Sequence, residues 1–247
     1  MIVVRSLLFN VLFFAWSIVL HVVCIPLLGA PAPALFLAAR VWVRVTLWLL
    51  ARVCGLTYEV RGRENLPAEP CIIASKHQSA WDTLIFPLLV KRPCYVFKRE
   101  LMWIPLFGWY VARAGGIAID RAGGAAALRR MLRAAERALA AGGTIIIFPE
   151  GTRVAPGRRR PYHPGVAALY GHLGVPVVPV AVNSGLYWGR RSFYKKPGRI
   201  VLEFLPPIAP GLSRRGFLDE LQQRIEPASD RLAACARVGT DTDTEAA

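Results

Sequence analysis

Residues 6–39 of this 247-residue chain contain no Lys, Arg, Asp or Glu. An uncharged run of that length excludes an ordinary solvent-exposed segment. Ser6 to Ile25 alone would form a helix of about 30 Å, which is the thickness of the hydrocarbon core of a bilayer. The run is then broken by Pro26, Gly29, Pro31 and Pro33. The sequence therefore predicts an N-terminal membrane anchor, either a full span or a re-entrant helix.

A secretory signal peptide is the alternative interpretation of this segment. Arg5, the apolar stretch and the small residues at 30–34 resemble its three parts. However, the apolar stretch is long for a signal peptide, and prolines lie near the position where cleavage would occur. Val23 before Cys24 also does not fit a lipoprotein cleavage site. We therefore interpret the segment as a retained anchor.

Acidic residues are scarce, since 16 Asp and Glu stand against 31 Lys and Arg, for a formal net charge of +15. That excess favours an anionic partner, such as nucleic acid, anionic lipid or a phosphorylated substrate. A hydrophobic content of 54% favours lipid over nucleic acid. The five cysteines form no C-x-x-C pair, and no metal-binding motif is present. The sequence therefore predicts reduced thiols, no metal site and no cofactor.

The segment 34–54 carries Arg40, Arg44 and Arg52, with apolar residues on its other faces. This pattern predicts a helix in the membrane interface with its arginines among the headgroups, or a second short insertion. A core helix with a solvated arginine face is the alternative. Arginines after a first span mark the cytosolic side, so we expect the part of the chain that follows to face the cytoplasm at the inner (plasma) membrane.

After Gly55 the composition becomes that of a soluble α/β domain. Strands alternating with helices predict a largely parallel sheet flanked by helices. The predicted strands lie at 57–61, 71–75, 95–98, 116–120, 144–148, 177–182 and 200–205. The predicted helices lie at 79–91, 122–141, 164–173 and 213–236, the last interrupted at Pro227. We divide the chain into an anchor (1–54), an α/β domain (55–238) and a disordered tail (239–247).

The polar stretch 75–83, Ser-Lys-His-Gln-Ser-Ala-Trp-Asp-Thr, follows the apolar run 71–74. On one continuous helix, His77 and Asp82 would point roughly 140° apart. They can meet only if His77 lies in a turn and Asp82 in the first turn of the helix behind it. Asp82 would then orient one imidazole nitrogen and leave the other free to accept a proton. Ser79 and Asp82 also fit a helix capping box, and the two interpretations are compatible.

Two further predicted strands run into charged residues. Gly-Ile-Ala-Ile-Asp-Arg ends on Arg121, and the apolar strand 144–148 continues into Pro-Glu-Gly-Thr-Arg, which ends on Arg153. Ligands bind at the carboxyl ends of strands in open α/β sheets, so His77 and both arginines would lie at one edge. A base beside two guanidiniums indicates a phosphorylated hydroxyl compound, because guanidinium binds phosphate oxygens in bidentate fashion. A surface salt bridge is the alternative for Arg121.

Four ordered blocks resemble those of the glycerolipid acyltransferases. They are His-x4-Asp at 77–82, Gly-Ile-Ala-Ile-Asp-Arg at 116–121, Phe-Pro-Glu-Gly-Thr-Arg at 148–153 and Val-Pro-Val-Val-Pro-Val at 175–180. The segment 98–108 and the short N-terminal anchor are similar to the 1-acylglycerol-3-phosphate branch. Two positions depart from the pattern: Lys76 stands where the family usually has Asn, and His163 where it usually has Lys.

The resemblance implies an enzyme that moves an acyl group from a thioester to the free hydroxyl of a lysophospholipid. 1-Acylglycerol 3-phosphate is the expected acceptor, and phosphatidic acid the product. His77 would be the general base, oriented by Asp82. The residues implied in substrate binding are Lys98, Arg121, Glu150, Gly151, Thr152 and Arg153, with the arginines on the acceptor phosphate. The implied donor is acyl-CoA or acyl-carrier protein, and the implied partners include membrane lipid but no nucleic acid.

Other functions stay open at this point. A thioesterase would use the same His–Asp pair on water, but the two arginines would then have no phosphate to bind. A membrane-tethered nucleic-acid binder rests only on the net charge, and no nucleic-acid motif supports it. Within the acyltransferases, another lysolipid such as a lyso-ornithine lipid is the main competing acceptor.

Overall fold

The computed structural model describes residues 1–120 and 123–245. Over those residues the chain forms one seven-stranded sheet in the order β1-β7-β6-β2-β5-β3-β4. Its strands are Leu56–Arg61 (β1), Ile72–Ser75 (β2), Pro93–Lys98 (β3), Ile117–Ile119 (β4), Thr144–Ile147 (β5), Val177–Val182 (β6) and Gly198–Phe204 (β7). Each predicted strand is confirmed, and every neighbouring pair is parallel except β6 with β7. The prediction of a largely parallel sheet flanked by helices is therefore confirmed.

Eight α-helices accompany the sheet in the described part of the chain. They are Ile2–Val23 (α1), Ala32–Cys54 (α2), Trp81–Leu84 (α3), Phe86–Leu89 (α4), Phe107–Arg113 (α5), Gly124–Ala140 (α6), Pro164–Leu173 (α7) and Arg214–Glu245 (α8). Successive side chains of a strand point to opposite faces, so β2 places Ile73 in one core and Ile72 in the other. Helices α1 to α4 cover the first face, and α6 to α8 cover the second.

The predicted helix at 79–91 is in fact two short helices, α3 and α4. Pro87 lies in the first turn of α4 and has no N–H to donate back to Thr83. The carbonyl oxygen of Thr83 instead accepts a hydrogen bond from the hydroxyl of Tyr95, at 2.7 Å. A proline therefore divides the predicted helix, and a side chain from β3 satisfies the carbonyl that this leaves open.

Helix α8 corrects one prediction, because it contains Pro227 without an interruption. Tertiary packing explains the difference, because the face with Phe217, Leu221 and Ile225 is fully buried and outweighs the cost of about 3 kcal/mol for a proline within a helix. The disordered tail predicted at 239–247 stays a prediction.

The two N-terminal helices differ in their surroundings. Both are long and apolar enough to cross a membrane, but 39% of the most apolar window of α2 is buried against 11% for α1. Val43, Leu47 and Leu50 of α2 belong to the same core as the sheet. The guanidinium of Arg40 donates to the backbone oxygens of Pro87 and Lys91, at 3.1 and 3.0 Å. Helix α2 is therefore packed on the α/β core. The sequence predicted that Arg40 lies among lipid headgroups, but it binds backbone oxygens of the protein itself.

Candidate active site

His77 and Asp82 meet at the carboxyl edge of the sheet. The chain leaves β2 at Ser75, so His77 lies in the turn and Asp82 in the first turn of α3, as predicted. Nδ1 of His77 is 3.0 Å from Oδ2 of Asp82. Because a carboxylate only accepts, Nδ1 carries the proton of that hydrogen bond, and Nε2 is left as the basic nitrogen. The ring of His77 also stacks on Phe148, with 4.0 Å between centroids.

The carboxylate of Asp82 also organises the turn that holds His77. Its Oδ2 accepts hydrogen bonds from the backbone N–H groups of Gln78 and Ser79, at 2.6 and 2.8 Å. The hydroxyl of Ser79 in turn accepts the N–H of Trp81, at 3.1 Å. This is a variant of the capping box in which the serine hydroxyl binds the N–H two residues on instead of three. Oδ1 of Asp82 accepts from the hydroxyl of Ser184, at 2.5 Å. The capping and orienting interpretations therefore hold together.

Glu150 reaches the site from the turn that follows β5. Gly151 adopts φ 65°, a left-handed conformation that favours glycine, and its N–H donates to the carbonyl oxygen of Phe148 at 2.9 Å. The turn directs Glu150 inward, where only 1% of the residue is exposed. Its Oε2 accepts the backbone N–H of His77 at 2.9 Å. Glu150 therefore holds the backbone of His77, while Asp82 holds its ring.

A buried network lies directly behind this pair. The Nζ of Lys76 is 2.8 Å from each carboxylate oxygen of Glu226 on α8 and 2.6 Å from Oε1 of Glu150. The hydroxyl of Tyr162 donates to Oε1 of Glu226 at 2.8 Å. Lys76 and Glu226 are each only 2% exposed. Lys76, which departs from the family pattern, is thus paired with the carboxylate of Glu226, 150 residues further along the chain.

Burial raises the pKa of the Glu150 carboxyl to about 7, although Lys76 and the N–H of His77 lower it. The raised pKa is reasonable because Lys76 is shared between two carboxylates, so one negative charge lacks its own cation. Burial and the neighbouring Glu226 carboxylate raise the pKa of Tyr162 as well, which keeps its hydroxyl protonated as a donor. The network therefore carries a carboxyl that changes charge near neutral pH.

His77 opens onto a cavity of about 560 Å³. Its apolar walls come from α1, α2, β3 and α5, and include Leu20, Cys24, Phe36, Trp42, Tyr95, Phe97, Phe107 and Val111. That volume is typical of a small-molecule site. The two N-terminal helices therefore supply part of the wall of the candidate active site, which the sequence did not predict.

Four of the other predicted site residues line the cavity, and one lies outside the described residues. Gly151, Thr152, Arg153 and Lys98 line the same cavity as His77. Lys98 is half exposed and its Nζ is 2.9 Å from Oε1 of Glu100. Arg121 lies outside the described residues, so its role stays a prediction.

His163, the second departure from the family pattern, lines a neighbouring cavity of about 380 Å³ that shares Phe148 and Gly151 with the first. Among the described residues, no group of His, Cys, Asp and Glu side chains has a metal-binding arrangement.

The contacts that sequence reasoning missed include those of Ser184 with Asp82, of Phe148 with His77 and of Glu226 with Lys76. The first had a usable signal. Ser184 follows the buried strand β6, and the rule that places His77 at the edge of the sheet places Ser184 there too. Glu226 had none, because nothing in the sequence indicates which face of α8 meets β2.

Comparison with known proteins identifies the class of this chain. Residues 57–183, just over half of it, match the family described as Acyltransferase. This range includes His77, Asp82 and the Phe-Pro-Glu-Gly-Thr-Arg block, although Glu226 lies beyond it. The chain belongs to the acyltransferase family.

The names of individual relatives are more specific than the family description. A protein of Pseudomonas aeruginosa named 1-acyl-sn-glycerol-3-phosphate acyltransferase is 41% identical over 186 residues, which cover 75% of this chain and 72% of that protein. The mouse 1-acyl-sn-glycerol-3-phosphate acyltransferase alpha is 33% identical over 63% of this chain, and the match spans 56% of its length. The crystal structure of the 1-acyl-sn-glycerophosphate (LPA) acyltransferase PlsC from Thermotoga maritima aligns over 95% of this chain and 98% of that one. Its TM-score is 0.77 at 23% identity, so it confirms the fold.

Proposed function

We propose that this protein is a 1-acylglycerol-3-phosphate O-acyltransferase, which transfers an acyl group from acyl-CoA or acyl-carrier protein to lysophosphatidic acid and forms phosphatidic acid. The observation that carries the proposal is the His77–Asp82 pair opening onto a large apolar cavity. The names of the relatives at 41% and 33% identity support the choice of acceptor. No further cofactor or metal is required by this chemistry.

The proposed reaction needs one base and no protein nucleophile. Nε2 of His77 takes the proton of the acceptor hydroxyl as its oxygen attacks the thioester carbonyl carbon. The tetrahedral intermediate then expels the thiolate, which takes the proton from the imidazolium and leaves as the thiol. Asp82 keeps Nδ1 protonated and stabilises the imidazolium. General-base catalysis of this kind contributes about 10²–10⁴ in rate.

The cavity accounts for the lipid character of the substrates. Its apolar lining can take one acyl chain, and Arg153 lines the same space as His77. Arg153, together with Arg121 by resemblance, would bind the acceptor phosphate. Gly151, Thr152 and Lys98 would complete the polar part of the site. Positioning by such contacts adds to the contribution of the base.

The proposed location is the inner membrane, with the catalytic part on the cytoplasmic side. The large apolar residues exposed on α1 support contact with lipid: Val4, Leu7, Leu8, Val11, Phe14, Ile18, Val19 and Val22. The five cysteines are all free, which agrees with a reducing compartment. A membrane-bound site would let acceptor and product stay in the bilayer.

The test is a product analysis with purified full-length protein in vesicles. Acyl-CoA and acyl-carrier protein are each offered with lysophosphatidate, monoacylglycerol, a lyso-ornithine lipid or no acceptor. We expect phosphatidate, with one thiol released per ester formed, and little product from the acceptors without phosphate. If free fatty acid is released as fast without any acceptor as thiol is released with lysophosphatidate, the protein is instead a thioesterase. Preference for the lyso-ornithine lipid would show a different acyltransferase.

A further inference from the structure

The buried contact between α8 and the turn of His77 has no part in the reaction steps proposed above. Lys76 precedes His77 directly, and its N–H still pairs with the carbonyl oxygen of Val180 on β6, at 2.9 Å. Successive residues of an extended chain point to opposite sides. His77 therefore faces the cavity, and Lys76 extends under it toward α8.

The Nζ of Lys76 contacts two carboxylates. It donates hydrogen bonds to the two oxygens of Glu226, at 2.8 Å each, and forms an ion pair with Oε1 of Glu150 at 2.6 Å. Oε2 of that same Glu150 accepts the backbone N–H of His77. An unbroken series of buried contacts therefore runs from α8 through Glu226, Lys76 and Glu150 to His77.

We propose that the Lys76–Glu226 ion pair is a positioning device for the general base, so that α8 is part of the catalytic apparatus. This inference rests on the proposed function. Lys76 fixes the Glu150 carboxylate, and Glu150 fixes the backbone from which His77 projects. Glu226 holds Lys76 in place, and the hydroxyl of Tyr162 orients Glu226. None of Lys76, Glu226 and Tyr162 is among the described residues that line the cavity at His77, so all three act through Glu150.

A buried ion pair is a weak source of stability, which makes a positioning role testable. Two buried charges lose their hydration, and replacing such a pair with apolar side chains is often neutral or stabilising. If the pair served the fold alone, an apolar replacement would leave turnover unchanged. If it positions His77, turnover falls even where the fold is as stable as before.

The experiment compares three variants of the full-length protein in vesicles. Glu226→Gln removes one charge and keeps the shape, and the double variant Lys76→Met/Glu226→Leu removes the pair. Glu220→Gln is the matched control, since Glu220 lies on the same helix in a half-buried ion pair with Arg224. Each variant is assayed at a temperature at which its own unfolding curve shows a fully folded sample. kcat and both KM values are measured with lysophosphatidate and acyl-CoA.

We expect kcat to fall by about 10- to 100-fold in Glu226→Gln and in the double variant, with both KM values nearly unchanged, because misplacement of a catalytic group costs turnover. The control should keep the wild-type kcat. Wild-type kcat in either test variant would overturn the inference, and so would an equal loss in Glu220→Gln. If the wild-type protein itself transfers no acyl group to lysophosphatidate, the proposed function fails. That result can be told apart from the two outcomes that overturn only the inference about Lys76 and Glu226.

Discussion

At the scale of single residues, Asp82 shows why a carboxylate is needed at its position. It accepts from Nδ1 of His77, from two backbone N–H groups and from the hydroxyl of Ser184. An amide in its place would keep one acceptor oxygen but lose the negative charge that stabilises the imidazolium of His77. The same oxygen caps α3 and orients the base, so local structure and chemistry depend on one side chain.

Arg153 lines the same cavity as His77, and in the proposed function it binds the acceptor phosphate. In Arg153→Lys the charge remains but the bidentate fork is lost, and we expect KM for lysophosphatidate to rise about tenfold while KM for acyl-CoA changes little. Steady-state kinetics on both substrates measures this. Arg158→Lys, an exposed position in the next basic run, is the control. Equal weakening for both substrates would assign Arg153 to the donor or to the fold.

Glu150 should make stability depend on pH. Its pKa is raised from 4.5 to about 7 in the folded protein, so between those values the folded state binds more protons than the unfolded state. The free energy of unfolding therefore falls as pH rises through this window, by up to about 3 kcal/mol from this group. We expect Glu150→Gln to lose that part of the pH dependence in unfolding curves from pH 5 to 8, and the exposed-site variant Glu69→Gln to keep it. A wild-type pH dependence in Glu150→Gln would contradict the raised pKa.

The residue scale also shows the limit of sequence reasoning. The pairing of His77 with Asp82 could be predicted, because both lie within one local turn whose geometry follows from helix periodicity. The partner of Lys76 could not, since it depends on how α8 packs under the sheet, and long-range packing leaves no local pattern.

At the scale of elements, the strands were predictable because buried parallel strands are short, nearly continuous apolar runs between polar turns. The two N-terminal helices were harder, because an apolar helix in a core and one in a membrane share the same composition. The structure distinguishes them by contact: α2 shares the core of the sheet, and α1 packs on α2 and exposes most of its length. Removing residues 1–54 would therefore expose core as well as remove an anchor.

Helix α1 is nevertheless attached to the rest of the protein around Phe9. Phe9 is fully buried, with its ring 5.9 Å from that of Trp188. Lys195 lies over the ring of Phe9 at 5.5 Å, and its Nζ donates to Oδ1 of Asn10 at 2.5 Å. These contacts hold the first half of α1 against the loop that precedes β7.

We expect Phe9→Ala to destabilise the protein by about 3–5 kcal/mol, because it deletes a large buried side chain and leaves a cavity. The melting temperature in detergent should then fall by about 10 °C. Phe14→Ala on the same helix removes an equal side chain that is 61% exposed and should change the melting temperature little. Similar melting temperatures for the two variants would show that α1 is not anchored through Phe9.

At the scale of the whole molecule, the exposed apolar surface of α1 continues onto the segment around α5. The hydroxyl of Tyr110 donates to the carbonyl oxygen of His21, and the guanidinium of Arg113 donates to those of Leu28 and Ala30. These bonds fix α5 beside the turn between α1 and α2. Trp103, just before α5, and Trp109, within it, are 70% and 55% exposed. Exposed tryptophans beside an apolar helix are typical of contact with a membrane interface.

The double variant Trp103→Ala/Trp109→Ala should therefore bind vesicles more weakly. We expect a severalfold loss in vesicle co-sedimentation, with an unchanged melting temperature in detergent, because neither ring belongs to the core. Tyr58→Ala, which removes an exposed aromatic ring on β1 at the other edge of the sheet, is the control. Vesicle binding equal to that of wild type would place the membrane surface elsewhere on the molecule.

The arrangement of the molecule follows from these contacts. The sheet places His77 at its carboxyl edge. Helices α1 and α2 complete the cavity onto which His77 opens, and α8 contacts the turn of His77 from the opposite side. In the proposed function, acyl transfer at the bilayer surface uses all three parts. The claim on which the others depend is that His77 takes the proton of the acceptor.

The most direct test of that claim is the turnover of His77→Ala at saturating lysophosphatidate and acyl-CoA, in a sample whose unfolding curve matches wild type. His172→Ala, at an exposed histidine paired with Glu136, is the matched control. We predict that kcat falls by about 10²–10⁴ in His77→Ala and is unchanged in the control. A His77→Ala protein that turns over at the wild-type rate would contradict the account.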